Sequence, residues 1–110
     1  MTNATQKDNV CVLAIEGELN KSTCDQFKSL VDSALANSAH DFVVDFVDCT
    51  GIDSVGLETL TWLHRNCQER LGMCKLCTLS DSLEKVMEIT RLDKDLDLCV
   101  TIDDAMAALK

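Results

Sequence analysis

Proline is absent from this 110-residue chain, and glycine occurs only at Gly17, Gly51, Gly56 and Gly72. With no Pro/Gly-rich stretch, repeat or low-complexity segment there is no candidate linker, so residues 1–110 read as one domain. Basic residues are scarce as well: 10 Lys and Arg stand against 19 Asp and Glu, a formal net charge of −9, and none of them cluster. Nucleic acid and anionic lipid both need concentrated positive charge, which removes them as partners. No run approaches the roughly 20 apolar residues that cross a bilayer, so direct membrane insertion is excluded too. The start, MTNATQKDNV, is polar and lacks the apolar region of a signal peptide, and the expected location is the cytoplasm. What remains, 46% hydrophobic and 26% charged residues, is the composition of a folded domain with a single core.

Seven cysteines stand out against that background: Cys11, Cys24, Cys49, Cys67, Cys74, Cys77 and Cys99. Most lie inside apolar periodic segments, as buried free thiols acting as small hydrophobes do. Cys74 and Cys77 have CxxC spacing, but they fall in a run read as a strand. Positions three apart on a strand point to opposite faces, so the two sulfurs diverge. No second CxxC or His pair completes a zinc site, and neither a metal nor a cofactor is expected.

Strand and helix signals alternate along the chain. Residues 10–15 form an apolar run of strand length, with a possible short partner strand in the polar residues before it. After a loop over residues 16–20, Ser22 with Asp25 or Thr23 with Gln26 offers a capping box to a helix bearing Cys24, Phe27, Leu30, Val31, Ala34 and Leu35 on one face. Residues 42–46 are the next strand, followed by an acidic loop and a long helix over residues 54–71 that Gly72 closes. A strand over residues 73–79, a helix capped by Asp81 with Glu84, a short strand over residues 98–100 and a final helix capped by Thr101 with Asp104 complete the chain. Strands joined by helical crossovers imply an α/β fold, a four- to five-stranded mainly parallel sheet with about four helices packed on it.

Residues 43–60, VVDFVDCTGIDSVGLETL, carry the most specific signal. An apolar run ends in acids, and Asp53-Ser54-Val55-Gly56-Leu57 opens the long helix. Asp and Ser are both residue types that cap a helix by accepting a first-turn N–H. A hydroxyl there also faces solvent at the positive end of the helix dipole, where a phosphate is well accommodated. Enzyme readings are weak. Ser54-Val55-Gly56 is half of a nucleophile elbow, but Ile52 replaces its first glycine and His64 lies ten residues along the same helix, roughly 15 Å away. Asp45, Asp48 and Asp53 suggest a phospho-aspartate receiver, yet no lysine follows the last strand until Lys110. Along the long helix Leu57, Leu60, Leu63, Cys67 and Leu71 form one stripe. Trp62 falls on the opposite side with Val55 and Glu58, an exposed aromatic suited to anchoring a partner.

These motifs resemble the STAS domain family, in particular its anti-sigma factor antagonists. The family's Gly-x-Leu-Asp loop is similar to Gly17-Glu18-Leu19-Asn20, and its aspartate-ended strand followed by Asp-Ser-x-Gly-Leu is similar to Val43-Val44-Asp45 and Asp53-Ser54-Val55-Gly56-Leu57. The stretch of residues 83–93 matches a further segment, and the resemblance covers nearly the whole chain. Asn20 stands where the family has aspartate, Glu58 where a small residue is usual, and Arg91 where glycine is common. The resemblance implies that Ser54 is a phosphoacceptor and that Glu18, Asn20, Asp53, Val55, Gly56, Leu57, Glu58 and Trp62 meet a partner. It further implies an anti-sigma factor that is also a serine kinase with a histidine-kinase-like ATP fold, and a PP2C-type phosphatase. The chain would then be a non-enzymatic switch regulating transcription. The alternative role on the same fold is a soluble subunit of a lipid-transport ATPase complex.

Overall fold

A computed structural model describes residues 1–7 and 9–109. These form strands β1 (Thr2–Lys7), β2 (Val10–Leu19), β3 (Asp41–Ile52), β4 (Cys74–Cys77) and β5 (Asp97–Cys99), and helices α1 (Cys24–Ala36), α2 (Ser54–Glu69), α3 (Asp81–Ile89) and α4 (Ile102–Ala108). The sheet order is β1-β2-β3-β4-β5, with β1 antiparallel to β2 and every other pair parallel. The expected α/β architecture is present, including the partner strand before residue 10.

The sheet is covered unequally. Leu13, Ile15, Phe42, Val44, Phe46 and Leu76 meet Phe27 and Val31 of α1, Leu60, Leu63 and Cys67 of α2, and Leu83 and Met87 of α3 in one front core. Each fully buried Leu or Phe contributes about 1.5–3 kcal/mol, so this face holds most of the fold's stability. The back carries only Val43, Cys77 and Ala105 as fully buried members, with α4 laid over them. Cys74 and Cys77 lie in different clusters, one per face, as strand alternation requires.

Two strands run further than their composition suggests. The sequence reads residues 16–20 and 47–52 as loops, but β2 continues to Leu19 and β3 to Ile52. The pairs Glu16 with Asp48, Gly17 with Cys49, Glu18 with Gly51 and Leu19 with Ile52 carry the ladder on through two register shifts. On one side β4 stops opposite Asp45, and on the other Met1 makes the last backbone bonds, to Glu16, so beyond Glu16 these ends project as a two-stranded ribbon past the main sheet. Lacking neighbours, the ribbon exposes Val47, Asp48 and Thr50, and that polar exposure hides the strand from a periodicity reading.

Several helix ends differ from expectation. Neither capping box forms at α1: Thr23 Oγ1 donates to the Glu18 carbonyl and accepts from Asn20 N–H, both at 2.9 Å. At α3 the cap is Ser80, accepting from Leu83 N–H at 3.2 Å, with Asp81 and Glu84 in the first turn beside the dipole. Thr101 caps α4 as expected, accepting from Asp104 N–H at 3.1 Å. Helix α2 stops at Glu69 in a Schellman motif, Gly72 N–H bonding Cys67 O at 2.7 Å and Leu71 N–H bonding Gln68 O at 3.1 Å. Leu71, not Gly72, takes the left-handed position, with φ 59. Leu71 is therefore 94% exposed rather than part of the buried stripe. Gly72 answers a different need, because a Cβ there would overlap the His40 carbonyl oxygen. Arg91, at the place where glycine is common, adopts φ 63, the conformation that favours glycine.

Candidate functional site

The site is built where the ribbon hands the chain to α2. Asp53 is the N-cap: Oδ1 accepts from Gly56 N–H at 2.8 Å, while Oδ2 accepts from Lys21 N–H at 3.1 Å in the loop after β2. One carboxylate thus ties the helix start to the neighbouring strand's exit, and Asp53 N–H adds a bond to Leu19 O at 3.2 Å. The Gly56 N–H, helped by Lys21 N–H, holds the Asp53 carboxyl below its usual pKa, so it is ionised at neutral pH.

Because Asp53 does the capping, Ser54 becomes the first helical residue. Its side chain is exposed, and its hydroxyl has no hydrogen-bond partner among the described residues. The hydroxyl therefore lies at the positive end of a 16-residue helix, beside the first turn that Asp53 caps.

Gly56 is buried, and its position explains its identity. A Cβ on it would overlap the Leu19 carbonyl oxygen and sit 2.6 Å from Ile52 Cγ1. Gly56 thus lets the first turn of α2 press onto the end of β2. Val55 is half-buried against the front core, so it offers only part of its side chain outward.

The remaining expected residues separate into two patches. Glu18, Asn20 and Asp53 line a shallow pocket of about 280 Å³ with Gly51 and Ile52. Within it Asn20 Nδ2 donates to Glu18 Oε2 at 3.0 Å, and Asn20 Oδ1 accepts from Ser22 N–H at 2.9 Å. An aspartate in place of Asn20 could make only the second bond and would repel Glu18, which gives the amide a physical reason. Leu57, Glu58 and Trp62 instead line an open groove of about 390 Å³, with Thr61, Arg65, Thr90 and Leu92.

Trp62 is half-buried rather than standing in water. It packs on the front core, and the Lys28 ammonium of α1 lies 5.5 Å from its ring centroid. Helical periodicity places Trp62 away from the buried stripe correctly, but cannot reveal that α1 crosses close enough to cover one ring face. Arg65 is three residues beyond Trp62 on the same helix and was findable by spacing. Thr90 and Leu92 arrive from the end of α3 by tertiary packing, for which the sequence carries no local signal.

This is a strand-and-helix platform presenting an exposed hydroxyl, acidic side chains and a half-covered aromatic. The sequence matches the STAS domain family over residues 1–105, and the chain belongs to that family. Its structure is similar to a candidate anti-sigma factor antagonist from Thermotoga maritima (24% identity, TM-score 0.90, covering 98% of this chain and 93% of that one). It is also similar to an anti-sigma factor antagonist from Mycobacterium paratuberculosis (25% identity, TM-score 0.86, 99% and 92%). A sulfate transporter family protein from Wolinella succinogenes shares the fold (21% identity, TM-score 0.81, 92% and 84%). Among the described residues no helix is long and apolar enough to cross a membrane.

Proposed function

We propose that residues 1–110 act as one cytoplasmic, non-enzymatic interaction domain of the anti-sigma factor antagonist type, switched by phosphorylation of Ser54. The observation that carries this reading is the division of labour at α2. Asp53 supplies the cap, which leaves the Ser54 hydroxyl exposed at the start of the helix and, among the described residues, without a hydrogen-bond partner. A serine that the fold needed as a cap would be tied to its own helix.

The unphosphorylated domain binds an anti-sigma factor that is also a serine kinase with a histidine-kinase-like ATP fold, and so affects transcription. Glu18, Asn20, Asp53, Ser54 and the outward parts of Val55, Leu57, Glu58 and Trp62 form the contact surface. Phosphorylation adds about −1.5 to −2 charges at the helix start. The dipole and the N–H groups tolerate that charge, so the fold persists. Asp53 and Glu58 already make this end acidic, and a partner that accepts it with acidic groups of its own nearby meets about 1–3 kcal/mol of added repulsion per unit charge about 5 Å away. A PP2C-type phosphatase resets the switch.

Titration of wild type, Ser54→Asp and Ser54→Ala against the kinase partner tests the reading. Ser54→Asp should bind at least tenfold more weakly, while Ser54→Ala binds normally and takes up no phosphate. Equal affinities for all three would reduce Ser54 to a surface residue. The same fold occurs in a sulfate transporter family protein, and a second reading on this fold is a transport role, as a soluble subunit of a lipid-transport ATPase complex. Co-purification with an ABC-type ATPase and permease, in place of a kinase and phosphatase, would favour it.

A further inference from the structure

The back of the sheet holds a pair of cysteines that the Ser54 site does not use. Cys77 ends β4 and Cys99 ends β5, and the two are direct register partners on adjacent parallel strands. Register partners project from the same face, and both thiols belong to the small cluster with Val43 and Ala105 beneath α4. Neighbouring strands lie about 4.8 Å apart, within the roughly 4.4–6.8 Å between Cα atoms that a disulfide spans. β5 is a three-residue edge strand bonded only to β4, so it can adjust to bring the sulfurs together. Access is asymmetric: Cys77 is fully buried, whereas Cys99 is half-buried and open to a small oxidant.

We propose that Cys77 and Cys99 are a redox-active pair that hydrogen peroxide closes to a disulfide, fastening β5 and α4 to the sheet. The Cys99 thiolate attacks one peroxide oxygen and breaks the O–O bond. It becomes a sulfenic acid, and the leaving hydroxide takes a proton to give water. The Cys77 thiol then loses its proton and displaces the sulfenic hydroxyl, which leaves as a second water as the S–S bond forms. Two thiols are oxidised and one peroxide is reduced. Thr78 follows directly, with φ 60 and its N–H bonded to Val100 O at 3.3 Å, so the bridge would lock a corner whose backbone is already held in a rare conformation. From that corner the chain enters α3, whose far end supplies Thr90 to the groove beside Trp62. Cys67 and Cys74 form the internal comparison. They touch within the front core, but both are almost wholly buried, out of reach of peroxide.

The test treats the intact reduced protein with hydrogen peroxide, blocks the remaining thiols after denaturation and maps the peptides by mass spectrometry. The expected result is loss of two of the seven free thiols, a dithiothreitol-sensitive Cys77–Cys99 peptide and slower amide exchange through residues 97–108. Cys99→Ser should keep all its thiols under the same treatment. Retention of all seven thiols by the wild type, a bridge confined to Cys67–Cys74 or between chains, or a Cys77–Cys99 bridge with unchanged exchange would each overturn the proposal.

Discussion

The two ends of α2 use the same packing device to different effect. At its start Gly56 lets the helix press on the Leu19 carbonyl; just past its end Gly72 lets the chain press on the His40 carbonyl. At the far end the motif closes on backbone bonds, an exposed Leu71 fills the left-handed position, and the Asp41 carboxylate accepts from Met73 N–H at 2.9 Å just beyond Gly72. At the start the contact is overlaid with a cap that reaches the neighbouring loop, a free hydroxyl and acids on both sides. Close packing at both ends fixes where the chain meets the sheet; at the start it also fixes the turn that presents the Ser54 hydroxyl at the surface.

That contrast can be broken in graded ways. Gly72→Ala should cost most, about 3 kcal/mol or more, because the new Cβ would overlap a backbone carbonyl outright. At about 4–8 °C per kcal/mol for a domain this size, thermal melting would show it plainly. Partner affinity, measured below the melting range, should be unchanged. Gly56→Ala should cost about 1–3 kcal/mol by the same clash with Leu19 and should also weaken partner binding, since the first turn that presents Ser54 must move.

Asp53→Asn sharpens the comparison through pH. The Asp53 carboxyl titrates below its ordinary value of 3.8, so its contribution to stability is present above that value and fades as pH falls through the lower folded one. Wild type should therefore exceed Asp53→Asn in stability at pH 6, and the gap should narrow as the solution is taken below about pH 4; urea titrations at several pH values read this directly. The smallest effect is expected at the far end, where Leu71→Gly should stabilise by about 0.5–1 kcal/mol. It relieves a left-handed backbone worth about 1–2 kcal/mol against glycine's added chain entropy, and the side chain lost is 94% exposed.

Much of this was readable from the residues, and what was not has identifiable causes. Apolar periodicity in the front core placed α1, α2 and the central strands, because burial on one face writes itself into the sequence. The ribbon of Glu16–Leu19 against Asp48–Ile52 reads as loop because only Leu19 and Cys49 of it are buried, too few apolar positions to show a strand period, and its ladder comes from backbone pairing. Asp53 and Ser54 are equally good caps by composition; only the geometry of the first turn decides between them. The close approaches at Gly56 and Gly72 depend on where β2 and His40 lie in space, so those glycines looked like ordinary punctuation.

The central claim is that Ser54 is a switch and Asp53 the cap. It is tested most directly by incubating the wild-type chain with its kinase partner and ATP and locating the phosphate by mass spectrometry, with melting recorded on the product. The account predicts one phosphate, on Ser54, and a melting temperature close to that of the unmodified protein. Phosphate on another residue, or a Ser54-phosphorylated chain that unfolds, would contradict it.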